Sequence, residues 1–186
     1  DRELGSVPPS EFIPIAERLG LIGNITDWML HQSMEEVSRC ADKSISVAVN
    51  FSALDFLQPN FIQNVGDTLS QLDVDPARLV IELTESVLAT DVSLVNLRMR
   101  EVKVLGASIS LDDFGTGYSS LSYLRQFPID SLKIDISFVR DMPDKADAVA
   151  ITTAIVAMAK ALSLDTIAEG VETEGQAELL KALGVN

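Results

Sequence analysis

Apolar residues along the chain follow two alternating rhythms. Short runs rich in β-branched residues occupy 44–50, 79–84, 107–112, 130–135 and 165–170. Between them, Leu30, Met34 and Val37 recur at i, i+4 and i+7, as do Val95, Met99 and Val102, and Ile151, Ile155 and Met158. The short runs predict strands, and the wider spacing predicts helices with one apolar face. Strand–helix alternation of this kind implies a parallel sheet with right-handed crossovers. Each predicted strand carries a polar residue near its C-terminal end: Asn50, Glu82, Asp112, then Lys133 with Asp135, and Glu169. In a β/α barrel all such ends meet at one mouth, whereas an open doubly wound sheet gathers only a few. The spread over all five favours an α/β fold of the (β/α)8 barrel type.

The densest chemistry lies in Ser110-Leu111-Asp112-Asp113-Phe114-Gly115-Thr116-Gly117. Adjacent carboxylates repel unless a cation sits between them. Neighbouring strand side chains point to opposite faces, so both acids reach one site only if the backbone turns there. Gly115 and Gly117 predict such a turn. The plain alternative is an Asp-rich loop that ends a strand.

Asn50, Glu82 and Asp112 offer hard oxygen donors, suited to Mg²⁺ or Mn²⁺ rather than zinc. The chain's single histidine, His31, falls in a helical pattern and reads as structural. Lys133 stands in an apolar strand and needs a partner there. Asp135, on the same strand face, or another strand's carboxylate would supply one. A Schiff-base lysine of a barrel lyase or aldolase is a further reading. Asp113-Phe114-Gly115 lacks the companions of a kinase, and Gly115-Thr116-Gly117 lacks the third glycine of a dinucleotide loop. Ser119-Ser120 has no His/Asp partners for nucleophilic catalysis.

Composition narrows the partners. The 186 residues carry a net charge of −14, which argues against a nucleic-acid polymer. Divalent cations would reconcile that acidity with a phosphodiester substrate. A single cysteine, Cys40, excludes an intrachain disulfide and fits a reducing, cytoplasmic setting. No long apolar run predicts membrane contact by this segment, although an anchor elsewhere in a parent protein is compatible with it.

Five motifs in order, Val-Asn50-Phe-Ser, Ile81-Glu82-Leu83-Thr84-Glu85, Asp112-Asp113-Phe114-Gly115-Thr116-Gly117, Leu132-Lys133-Ile134-Asp135 and Ala168-Glu169-Gly170-Val171-Glu172, resemble the EAL domain family. That family hydrolyses the bacterial second messenger cyclic di-GMP. Glu11-Phe12-Ile13-Pro14-Ile15-Ala16-Glu17 looks like its first helix. The resemblance implies metal binding by Asn50, Glu82, Asp112 and Asp113, with Asp112 bridging two ions. It assigns water activation and phosphate charge to Lys133 and Glu169. Glu85, Asp135 and Glu172 become supporting residues, Glu85 steadying the loop after the Asp pair. It further implies a phosphodiesterase giving linear 5′-pGpG, working as a homodimer and fused to sensor or GGDEF domains. A family member that binds cyclic di-GMP without cleaving it is the alternative. The loop and helix after the Asp pair would lie near the dimer interface, with Tyr118, Leu121 and Leu124 as contacts or as core. The family's namesake Glu-Ala-Leu strand is expected before Asp1, and its Gln-Gly motif after Asn186. Residues 1–186 are thus expected to form one EAL domain lacking its N-terminal and C-terminal strands, and to be inactive alone.

Overall fold

The computed structural model describes residues 5–115 and 124–185. Helices α1 (Pro9–Arg18) and α2 (Ile22–Arg39) lead into strand β1 (Val47–Phe51). A short helix α3 (Ala53–Phe56) and helix α4 (Phe61–Gln71) precede β2 (Leu79–Thr84). A 3₁₀ turn (Glu85–Ala89) and α5 (Val92–Leu105) lead to β3 (Ser108–Phe114). After β4 (Ser131–Ile134) come α6 (Ile136–Arg140), α7 (Ala146–Ala161), β5 (Asp165–Ala168) and α8 (Glu174–Leu183).

The strands form one parallel sheet in chain order, β1-β2-β3-β4-β5. This is a partial β/α barrel, as the alternation predicts. Each strand begins or ends within three residues of the run that predicts it. Period-two alternation divides the sheet into two unlike faces. Leu79, Ile81, Leu83, Ile109, Leu111, Leu132 and Ile134 face the helices and are fully buried. Glu82, Ser110, Asp112, Ser131 and Lys133 occupy the opposite face.

The helices close over the apolar face. Leu30, Met34 and Val37 of α2, and Val95, Met99 and Val102 of α5, are buried at the predicted spacing. On α7 the buried positions are Ala148, Thr152, Ile155, Val156 and Ala159, while Ile151 is exposed. The helix is apolar nearly all round, so hydrophobicity alone does not orient it. Its small residues, Ala148, Thr152 and Ala159, let it lie close to the sheet. Leu124 is buried in the core and is not a free contact surface, whereas Tyr118 and Leu121 lie outside the described residues. No described helix is long and apolar enough to cross a membrane.

At the opposite end of β2 from its acidic residues, the buried Arg78 has a purely structural task. Its Nε donates to Ile45 O at 2.8 Å, Nη1 to Val37 O at 2.8 Å and Nη2 to Asp42 O at 3.1 Å. One guanidinium thereby ties the end of α2 and the approach to β1 to the start of β2.

Candidate active site

Parallel register brings the polar strand ends together. Asn50 stands opposite Glu82, and Glu82 opposite Ser110. Adjacent parallel strands lie about 4.8 Å apart, so this row crosses three strands within side-chain reach. Ser110 and Ser131 are paired in the next ladder and form a polar floor beneath Asp112 and Lys133.

The Asp pair is handled by a bulge. Leu111 pairs with Leu132 and Phe114 with Ile134, so three steps on β3 match two on β4. The extra residue lets Asp112 and Asp113 both oppose Lys133, and Phe114 then returns to the apolar face. Asp113 itself takes the left-handed conformation, with φ of 55°. The backbone thus turns right after Asp112, where the shared orientation of the two acids requires it. Gly115 continues the turn at φ of 100°, where a Cβ would come within 3.0 Å of Phe138 and 3.2 Å of Ile155. Gly117 lies outside the described residues.

Lys133 is the centre of the charge cluster. Its Nζ lies 2.6 Å from Glu169 Oε1, 3.0 Å from Glu82 Oε1 and 3.3 Å from Asp112 Oδ1. These partners come from three other strand ends, and Asp135 is not among them. Burial works against the ammonium, but hydrogen bonds to Glu169 and Glu82 and the charges of Glu82 and Asp112 outweigh it. The lysine pKa is held above its ordinary value. An ammonium held by three carboxylates is unsuited to Schiff-base chemistry, which requires a free amine.

Asp135 instead caps α6, accepting from Ser137 N–H at 2.8 Å. Its pKa is lowered: burial opposes the charge, but the bonds from Ser137 and from Asp113 favour it. Asp113 is shifted the other way. Burial comes first, followed by the charge of Asp112, the hydrogen bond with Asp135 and the charges of Asp135 and Glu169. Glu85, buried at the start of the 3₁₀ turn, accepts from Gly115 N–H at 2.9 Å. Asn50 and Glu172 are exposed. Glu172 lies outside the charge cluster, on the loop that leads into α8.

Carboxylate oxygens of Asp112, Asp113 and Glu169 lie within 4.8 Å of one another. This all-oxygen donor set, negative in excess of the Lys133 charge, fits a hard divalent cation. Glu82 and Asn50 line the adjoining strand ends. The cluster thus groups Glu169 with the Asp pair, a grouping that strand-end positions alone do not reveal. Two further residues stand out only in the structure. Ser110 is fully buried, and no described group bonds its hydroxyl. Gln176, also buried, makes three hydrogen bonds through its carboxamide; its spacing from Thr173 is that of a capping box.

The chain and its fold have counterparts among known proteins. MucR of Pseudomonas aeruginosa, a bifunctional diguanylate cyclase/cyclic di-GMP phosphodiesterase, is 39% identical over 185 residues, covering 98% of this chain and 27% of that protein. The cyclic di-GMP phosphodiesterase PdeR of Escherichia coli is 40% identical over 186 residues, covering 99% of this chain and 28% of that one. This chain therefore spans less than a third of these relatives. The solved MucR phosphodiesterase in complex with c-di-GMP superposes with a TM-score of 0.93 at 38% identity, over 97% of this chain and 74% of that one. The family model described as the EAL domain matches residues 1–186, and the chain belongs to the EAL domain family.

Proposed function

We propose that this unit, within its parent protein, is a cyclic di-GMP phosphodiesterase that depends on Mg²⁺ or Mn²⁺ and yields linear 5′-pGpG. The observation that carries the reading is the convergence of Asp112, Asp113 and Glu169 oxygens within 4.8 Å beside a charged Lys133, in a member of this family. The names of MucR and PdeR support the substrate.

Asn50, Glu82, Asp112 and Asp113 would hold the divalent metal. A bound divalent ion acidifies water and offsets charge on phosphate oxygens. Glu169 would accept the proton of the attacking water; the reach of its carboxylate to both the Asp pair and Lys133 supports that role. Lys133, fixed by three carboxylates, presents a positive charge where the phosphate oxygens gain negative charge. Glu85 and Asp135 hold the backbone around Gly115 and the start of α6. Glu172 supports the loop after β5. Attack is direct, and no covalent intermediate is required.

The greater length of the relatives and the bifunctional activity named for MucR support a parent carrying GGDEF or sensor domains. Homodimeric assembly in the cytoplasm belongs to the same proposal. The test is product chromatography on the complete parent enzyme. Cyclic di-GMP should be converted to pGpG with Mg²⁺ or Mn²⁺, and not in excess chelator. Undiminished turnover in chelator would overturn the metal-dependent reading.

A further inference from the structure

Glu169 sits on a short segment between β5 and α8 whose geometry depends on a residue seven positions away. The Gln176 carboxamide is buried and bridges two elements. Its Oε1 accepts from Glu172 N–H at 2.8 Å and Thr173 N–H at 2.9 Å, and its Nε2 donates to Val139 O at 3.1 Å. Only this amide orientation satisfies two donors and one acceptor. Val139 belongs to α6, the helix that Asp135 caps and that follows Lys133 by a few residues.

The other end of the segment is held against the same helix. Gly170, next to Glu169, has φ of 67°, and a Cβ there would lie 2.3 Å from Ile136 Cγ1. The backbone therefore presses on the first residue of α6, while Gln176 fastens residues 172 and 173 to its fourth. Immediately before the first anchor, Glu169 N–H donates to Ile134 O at 3.2 Å, and the Glu169 carboxylate meets Lys133 at 2.6 Å.

We infer that Gln176 is a positioning residue for Glu169: its carboxamide clamps the 170–173 segment onto α6 and so fixes the Glu169 carboxylate against Lys133. This inference rests on the phosphodiesterase reading for its catalytic consequence. An ordinary capping glutamine would need only its bonds to the two N–H groups. The third bond, to a carbonyl of a different helix, is what links the acid-bearing segment to the lysine-bearing one. Misplacement of a reacting group by about 1 Å can cost on the order of 100-fold in rate.

The test compares Gln176→Met, which keeps the volume and loses all three bonds, with Gln176→Glu in the complete enzyme. Gln176→Met should lower kcat about 10- to 100-fold, with cyclic di-GMP affinity unchanged. Placed on a Glu169→Gln background, it should lower kcat no further. A charged Glu at 176 keeps both N–H partners but sets a carboxylate against Val139 O. Its kcat should recover as the pH falls and the protonated acid donates in place of the amide. Separately, and without substrate, amide exchange in a peptide covering 169–173 should quicken at least 10-fold in Gln176→Met. Exchange in β2 and β3 should stay as in the wild type. Unchanged exchange at 169–173, or an equal kcat loss with and without Glu169, would overturn the inference. If the wild type itself fails to cleave cyclic di-GMP, the functional reading falls, while the exchange measurement still decides whether Gln176 holds the segment.

Discussion

Replacing Lys133 with methionine removes one charge and almost no volume. The ammonium is 10% exposed, Glu82 8% and Asp112 14%, so this part of the cluster has little solvent to take its place. Removing one partner of a buried ion pair costs about 3–5 kcal/mol. Glu169 is 36% exposed, and water screens its share, so the lower end applies, about 3 kcal/mol. For a domain of this size that is a fall in Tm of roughly 6–12 °C. The pH dependence is the sharper test. In the wild type the lysine pKa is raised above its ordinary 10.5, so its contribution is complete below that value and disappears as pH rises through the raised one. In Lys133→Met the carboxylates relieve their repulsion by binding protons, which the folded state then holds more tightly than the unfolded. The variant gains stability as pH falls. The gap in Tm from wild type, read by calorimetry in chelator, should narrow between about pH 8 and about pH 5. Added Mn²⁺ should narrow it as well, without restoring turnover. A gap that is absent, or the same at every pH, would refute the view that Lys133 neutralises this cluster.

Glu169→Gln should lower kcat by about 10²- to 10⁴-fold while cyclic di-GMP still binds, and Glu82→Gln should weaken metal binding too, both read by calorimetry and chromatography on the same samples. Mn²⁺ affinity should climb as pH rises through the elevated Asp113 value, because the ion displaces that proton, and the slope should flatten in Asp113→Asn. Arg78→Met takes a charged donor from three carbonyls at once, and the buried Val37 O keeps only the 3.2 Å bond from Cys40 N–H. Stability should fall by about 2–3 kcal/mol in denaturant melts, with kcat per folded molecule unchanged. Gly170→Ala should cut both stability and kcat, and Ile136→Ala beside it should restore only part of the loss, because it opens space but leaves the left-handed backbone strained.

The strands and the polar residue each one brings to the mouth were legible because both follow from local pattern. Alternation of side chains along a strand needs no tertiary information, and runs such as Leu79 to Leu83 announce a buried face. That Lys133 pairs with a carboxylate of another strand was one of two readings open in the sequence; which of the two holds was not legible. Asp135 is its neighbour in sequence and face, yet helix capping claims that carboxylate, and the adjacent strands β3 and β5 together with β2 beyond them supply the partners. The orientation of α7 was hidden for a related reason. A helix apolar on nearly every side carries no amphipathic signal, so the positions of small residues decide its contact face. Leu124 shows the same limit, since exposure depends on what packs over a residue and not on its spacing from others.

The bulge in β3 explains how one short sequence serves two opposed requirements. Strict alternation would send Asp113 to the helix-facing side among Ile109, Leu111 and Ile134, where an unpaired carboxylate is costly. It would also turn Phe114 toward the charges. Inserting one residue against β4 corrects both at once, because every side chain beyond the insertion changes face. The strain is confined to Asp113, whose φ of 55° is one that Asp tolerates better than most residues. The paired acids therefore owe their shared orientation to a defect in the sheet, placed at the end of a strand whose apolar face is otherwise unbroken. Period two governs the part of the strand that stabilises the fold, and the single departure from it turns both carboxylates toward Lys133.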